Sequence, residues 1–350
     1  MTLVRITLIM LTAVVATSCG DAPTKTTTLQ FWHFWSEPSQ RSVLDSLVRI
    51  FEQEHPTIDV ELTELSWADG RSKLQLAFNA GTQPDVVHLG MDWHAEFSRA
   101  GVFADTAAIP WLVNARARVV NDRATRFTIG LCATDAHNVL KRMLPYVWSA
   151  GADRFYTSLP ISSTFDSALV NALWTIRSYV DKGALLERAR QLDDRLLNDE
   201  LRETYTGAWI IDMARRRNIT HLRVAATPSI LNGDVLAISR SSSHIDAARI
   251  FTAWLTSYQQ ARAFAVAISD AGFPADLTTA ATDSIFQRDD LQRGFLNVAR
   301  MARPLPESSK TLRVEPIVED MIVRCYGATS KDEVQQIVEK ARLAVIELER

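Results

Sequence analysis

Tryptophans stand beside short polar side chains at several points of this chain, a combination able to hold a small molecule without reacting with it. Trp35 precedes Ser36 and Glu37, Asp92 precedes Trp93, Trp67 stands apart, and Trp209 closes Gly207-Ala208-Trp209. The chain has nine tryptophans, at the high end for its length. A flat indole covers an apolar molecular face, and carboxylates and hydroxyls satisfy polar groups at its rim; buried polar groups left unpaired are costly. Not every indole is free for that task. Trp174 and Trp254 fall on apolar helical stripes and Trp32 alternates along a strand, positions typical of core, and Trp111 is expected to pack near a domain boundary. Glu37 also suits a first helical turn, where an acid offsets the helix dipole.

Other chemistries fit less well. His88, Asp92, His94 and Glu96 are metal-ligand types, but a strand, a loop and a helix carry them, so they need not converge, and none of the strong zinc spacings occurs. No metal site is expected. Arg215-Arg216-Arg217 reads as a solvated helix end. The sequence contains no Gly-x-Ser-x-Gly, His-Glu-x-x-His, phosphate loop or dinucleotide fingerprint, so no nucleophile elbow and no cofactor is expected.

The elements that must position these residues follow from the periodicity. Leu29–Trp35 reads as an aromatic strand, and Leu44, Leu47, Val48 and Phe51 mark one face of a helix ending before Pro56. Ile58, Val60 and Leu62 alternate as a strand; Leu74, Ala77 and Phe78 mark a helix stopped at Gly81; Asp85–Leu89 is a third strand. This rhythm implies a parallel, doubly wound sheet, with ligands gathering at the carboxyl ends of the strands, in the loops after Phe34 and Leu89. Further on, a helix through Ala168–Val180 and a short strand Val235–Ile238 are expected. A helix capped by Ser243 with Asp246 and a last helix capped by Ser330 with Glu333 complete the pattern.

Composition narrows the class. The chain has 350 residues, 47% hydrophobic and 23% charged, enough for about two domains. A formal charge of −3 leaves no electrostatic footprint for nucleic acid. Residues 1–18 carry Arg5, a short apolar run and small residues before Cys19, the grammar of an export signal cleaved to leave a lipidated cysteine. The polar, Thr-rich stretch 19–27 reads as a tether. Cys132 and Cys325 are expected to be buried and free.

Several pieces, in order, resemble one family. They are the aromatic strand Phe31–Trp35, the helix end Phe51-Glu52-Gln53-Glu54-His55-Pro56, and Asn79-Ala80-Gly81-Thr82-Gln83-Pro84-Asp85-Val86-Val87. Ser98–Phe103, Thr164–Ala168, Gly207-Ala208-Trp209 and Asn232–Ser239 follow. The chain thus resembles the extracellular solute-binding proteins of ABC importers, in particular the carbohydrate-binding group of maltose-binding-protein type. The resemblance implies an α/β fold of two lobes, the periplasmic-binding-protein fold of type II, with doubly wound sheets and a hinge. Lobe one would comprise 27–112 and 236–300, and lobe two 126–233 and 307–350. Family members carry a longer segment where Pro110–Arg126 leads to Phe127 here, so the second lobe is expected to be shortened. The implied ligand is a sugar or oligosaccharide, held by Trp35, Ser36, Glu37, Trp67, Asp92, Trp93, Trp148 and Trp209, with Trp209 as the stacking tryptophan. The implied partners are the permease subunits and a membrane reached through the lipid on Cys19; the protein would be a monomer without enzymatic activity. Two alternatives remain at this stage: a secreted glycoside hydrolase, needing two carboxylates across a sugar site, and a non-transporting, ligand-sensing lipoprotein.

Overall fold

The computed structural model describes residues 26–350 except 106, 136, 307 and 309. The leader, Cys19 and most of the tether lie outside the described residues. Strand β1 (Thr27–His33) feeds helix α1 (Pro38–Glu54), which buries Leu44, Leu47, Val48 and Phe51. Pro38 opens that helix, where a missing N–H is harmless. Strand β2 (Ile58–Glu64) leads to helix α2 (Gly70–Ala80), which stops at Gly81; its φ of 71° is a left-handed conformation glycine adopts freely. Strand β3 (Val86–Gly90) is buried throughout and passes directly into helix α3 (Met91–Arg99). β1 pairs in parallel with both β2 and β3.

Beyond this unit the sheet is mixed rather than purely parallel. Strand β4 (Ile109–Val120) runs antiparallel to a strand of 16 residues, β8 (Arg223–Ile238), and β8 also pairs antiparallel with β3. Past β4 lie β7 (Leu201–Thr206), then β5 (Phe127–Cys132) and β6 (Leu185–Glu187), the last three mutually parallel. The order is β2-β1-β3-β8-β4-β7-β5-β6. Two parallel sets therefore flank a pair of long antiparallel strands.

The short strand expected at Val235–Ile238 is only the end of β8, and most of Pro110–Arg126 is strand β4. Their pairing breaks register between Arg116 and Arg118: these face Ile230 and Ala225, so Ala226–Ser229 finds no partner on β4. Pro228 lies in that stretch and has no N–H to give. At Gly233 the two backbones approach so closely that a Cβ would sit 2.2 Å from the Leu112 carbonyl oxygen.

Helices α4 (Asn138–Ser149), α5 (Ser167–Asp181) and α6 (Ala189–Leu197) lie between the strands of the second set, and α7 (Trp209–Arg216) follows its last strand. After β8 come α8 (Ile245–Leu255), α9 (Tyr258–Ala267), α10 (Leu277–Ala280), α11 (Asp290–Ala299), α12 (Thr311–Tyr326) and α13 (Lys331–Glu349). Ser330 accepts from the Glu333 N–H and caps α13 as expected. Ser243 does not cap α8: the helix starts two residues later, and the Ser243 hydroxyl meets the His244 ring instead.

Apolar side chains collect in two large cores. One joins β1, α1, α8, α9 and α11 and extends along β4 to α7; the other gathers α4, α5, α12 and α13. This is a two-lobe α/β architecture. Cys132 and Cys325 are buried, unpaired and both in the second core, where burial pushes their thiols up to about 11 and about 12. Trp111 is wholly buried, Trp32 and Trp174 pack against cores, and the Trp254 indole donates to Glu54 at 2.7 Å.

Candidate functional site

The carboxyl ends of both parallel sets point at one cavity of about 550 Å³. Its floor is the crossing pair, through Asn114 and Arg116 of β4 and Asn232, Gly233 and Asp234 of β8. Trp35 enters just past β1, Trp67 past β2, and Gly90, Asp92 and Trp93 where β3 becomes α3. The facing wall holds His137, Asn138, Lys141 and Arg142 at the start of α4, Arg190 and Asp193 on α6, and Trp209 at the first residue of α7. Asp270 and Ala271 close one end. This is the placement expected of ligands in open α/β sheets.

Five of the expected residues meet here: Trp35, Trp67, Asp92, Trp93 and Trp209. Trp67 is 48% exposed, stacked on Phe34 with centroids 4.4 Å apart and braced edge-on by Trp93 at 5.3 Å, so its outer face is held open to a ligand. Trp35 is nearly buried and lies parallel to the His88 ring at 5.9 Å. Trp209 is tied at its edge, its Nε1–H donating to Asp193 at 2.9 Å, while the Arg116 guanidinium lies 4.3 Å from the ring centroid. Its face is thus shared with a cation before any ligand arrives.

Ser36, Glu37 and Trp148 lie outside this cavity. Ser36 follows Phe34 in a turn, and the exposed Glu37 opens α1, its N–H donating to Gln40 at 3.1 Å. Glu37 borders a separate, smaller hollow with Asp212 and Ser269. Trp148 is sealed in the second core, its indole N–H donating to the Phe155 carbonyl at 2.8 Å.

The cavity's charges are mostly paired. Asp92 accepts from Lys141 at 2.7 Å across the cleft, a contact between α3 and α4. Burial pushes the Asp92 carboxyl up, but the Lys141 ammonium outweighs it and holds the group below the usual carboxylate range. Arg142 and Asp193 are each 1% exposed and form a two-pronged pair at 3.0 and 2.8 Å, geometry that suits a buried ion pair. His88 Nδ1 accepts from the Phe34 N–H, and its Nε2 lies 3.0 Å from Asp234, outside hydrogen-bond geometry. Burial pushes the Asp270 carboxyl up.

Sequence reading missed the floor and the second wall. One signal was present: Asn114, Arg116 and Arg118 alternate through an otherwise apolar strand, which puts three polar groups on one face. The run Asn232-Gly233-Asp234 was read as a family motif but not as lining.

The residues weighed as metal ligands turn to separate partners. Asp92 meets Lys141, Glu96 pairs with Arg71 at 2.7 Å, and His94 stacks on Phe103 at 5.4 Å. Among the described residues no three His, Cys, Asp or Glu side chains gather as a metal site. The three arginines at the end of α7 and just beyond it pair with Asp289, Asp212 and Asp194.

Comparison with known proteins agrees with the resemblance. Residues 35–117 match the family model described as bacterial extracellular solute-binding protein. A protein of Streptomyces antibioticus described as an uncharacterized lipoprotein in the oleD 5′ region is 30% identical over 108 residues, covering 30% of this chain and 24% of that relative. The matched stretch is thus under a quarter of the relative's length. The fold matches the GacH receptor of Streptomyces glaucescens, solved unliganded and with acarbose: TM-score 0.74, 17% identity, 92% of this chain and 98% of that one. The sugar-binding protein MalE of Xanthomonas citri gives TM-score 0.74 at 18% identity, over 92% and 98% of the two chains. A maltotriose-bound protein of Thermus thermophilus gives 0.68 at 16% identity, over 91% and 100%. The fold expected from the sequence, two lobes of the periplasmic-binding-protein type, is the fold these proteins share.

Proposed function

We propose that this chain is the substrate-capturing subunit of an ABC importer, taking a sugar or oligosaccharide into the cavity and delivering it to permease subunits. The observation that carries this is the cavity itself, where a half-exposed, braced Trp67 stands over a floor of asparagines and charged groups. The outer face of Trp67 suits the C–H face of a pyranose, while Asn114, Asn232 and the facing wall can satisfy its hydroxyls. Lobe one would be 27–112 with 236–300 and lobe two 126–233 with 307–350, with β4 and β8 crossing between them. A ligand touching both walls would bind the closed arrangement better than the open one and shift the population toward it. The chain acts as a binder without turnover; the permease complex supplies the ATP hydrolysis. We further propose that residues 1–18 direct export and that a lipid on Cys19 holds a monomeric receptor at the outer surface of a membrane. Among the described residues no helix is long and apolar enough to cross a membrane.

The test is a melting-temperature screen of the chain from Gly20 onward against mono- and oligosaccharides, polyols, sugar phosphates and amino acids. A ligand at about 100 times its Kd adds about 2.7 kcal/mol and is readily seen. A sugar that stabilises the protein and is recovered unchanged is the expected result. A sugar that is consumed would overturn the non-enzymatic part, and binding undiminished in Trp209→Ala and Trp67→Ala together would overturn the site.

A further inference from the structure

Among the cavity's described cations, Arg116 alone has no counter-ion. Lys141 has Asp92, Arg142 has Asp193, Arg190 has Asp194 at 3.7 Å, and His137 has Glu315 at 3.0 Å. Arg116 is 8% exposed, lies on the cavity floor, and sets its guanidinium over the face of Trp209; its Nε has no hydrogen-bond partner. None of the acids on the lining lies within ion-pair distance of it. Asp193 is filled by both arms of Arg142 and the Trp209 indole and Asp92 by Lys141, while Asp234 lies 3.0 Å from His88 Nε2 outside hydrogen-bond geometry. Asp135, also on the lining, accepts from Asn138 at 3.3 Å, and Asp270 from Gln40 at 3.1 Å.

A guanidinium buried without a direct ion pair is expensive, since its charge has lost water and meets Asp193, Asp92 and Asp234 only at longer range. Burial, with the Arg142 charge adding to it, lowers the Arg116 pKa to about 10. Arg142 also lies 5.8 Å from the Trp209 ring, so two guanidinium groups flank one indole, while Asp193 takes up the Arg142 fork and the indole N–H. Helices α3 and α7 also start on this cavity, each with an acid in its first turn, Asp92 and Asp212, that offsets its dipole. The break in β4–β8 pairing falls at Arg116, the kind of irregularity that re-aims a side chain.

We propose that the captured ligand is an acidic carbohydrate, and that a carboxylate on its sugar ring pairs through two hydrogen bonds with the Arg116 fork beside Trp209. The proposal rests on the sugar-receptor reading and sharpens it: a planar carboxylate matches the guanidinium fork, where a neutral hydroxyl leaves the charge uncompensated.

Calorimetric titration with short oligogalacturonates and oligoglucuronates, against the same oligomers as methyl esters and against neutral malto-oligosaccharides, tests it. Esterification removes the charge and little else. The acid should bind at least about tenfold tighter than its ester, the worth of one charge-assisted pair. Arg116→Gln should bring the acid down to the ester's affinity, and Arg116→Lys should keep part of the difference. Esters or neutral sugars binding as well as the acids, or an acid preference surviving in Arg116→Gln, would overturn the proposal and leave the sugar receptor standing. No binding of any carbohydrate would sink both. A second arm needs no ligand. Arg116→Met keeps the stem against Trp209 and deletes the uncompensated charge, so the empty protein should melt higher; a lower melting temperature would make Arg116 a structural residue and overturn the proposal.

Discussion

Asp193 and Trp67 stand in the same cavity and answer to opposite demands. Asp193 is almost wholly buried and accepts three hydrogen bonds, two from Arg142 and one from Trp209. Its removal leaves Arg142 charged and dry, so Asp193→Ala should lower the unfolding free energy by about 3–5 kcal/mol in urea titrations. Trp67 is half exposed and carries little of the core. Trp67→Ala should leave stability within about 1 kcal/mol of the parent while weakening sugar binding about tenfold, as read by calorimetry. Tryptophans placed just past predicted strands were legible because period and position both mark them. Arg142 and Lys141 were not, because they sit in a helix whose neighbours Val139, Leu140, Met143 and Leu144 are all buried, so no polar face announces them.

The start of α4 shows how one helix end can be completed by another helix. His137 precedes it in the left-handed region, φ 65°, and offers no side-chain cap. The Leu140 N–H donates instead to Glu319 of α12 at 3.1 Å, and His137 meets Glu315 one turn earlier on α12 at 3.0 Å. Burial pushes the Glu319 carboxyl from its ordinary 4.5 up to about 7, and the hydrogen bond to Glu315 raises His137. An acid raised on folding binds its proton more tightly in the native state. Stability from Glu319 is therefore complete below about pH 4.5 and is lost as pH climbs through about 7; His137 has the same sign, its share fading above its raised pKa. Glu319→Gln should flatten the fall in melting temperature between about pH 5 and 8, a loss on the order of a few kcal/mol in the parent at about 1.4 kcal/mol per unit. Strands β4 and β8 were the least legible elements. Gly233 and Pro228 read as breakers, and polar cavity residues interrupt the apolar alternation, so the demands of the site erased the pattern that reveals a strand.

At the scale of the molecule, the two walls of the cleft are already joined by Asp92 and Lys141, both nearly buried at 2.7 Å. Lys141→Met would strand the Asp92 carboxylate, which regains water only if the walls part. The ligand-free variant should therefore show a larger radius of gyration by small-angle X-ray scattering than the parent, with saturating ligand restoring the compact value. An unchanged radius would mean the pair does not hold the cleft. The α/β character was legible from the β-α-β rhythm and the two lobes from the resemblance carried by the order of segments, whereas the antiparallel crossing at the centre was not. That crossing has one more consequence. Asn114, Arg116, Asn232 and Asp234 line the floor from the strands that link the two sides, so in the proposed receptor substrate choice and opening would be written in the same four residues. A lineage drifting toward a new nutrient, or an engineer converting this scaffold into a biosensor, would find the two traits pleiotropic. Each change in what is recognised would also reset the signal given when nothing is bound.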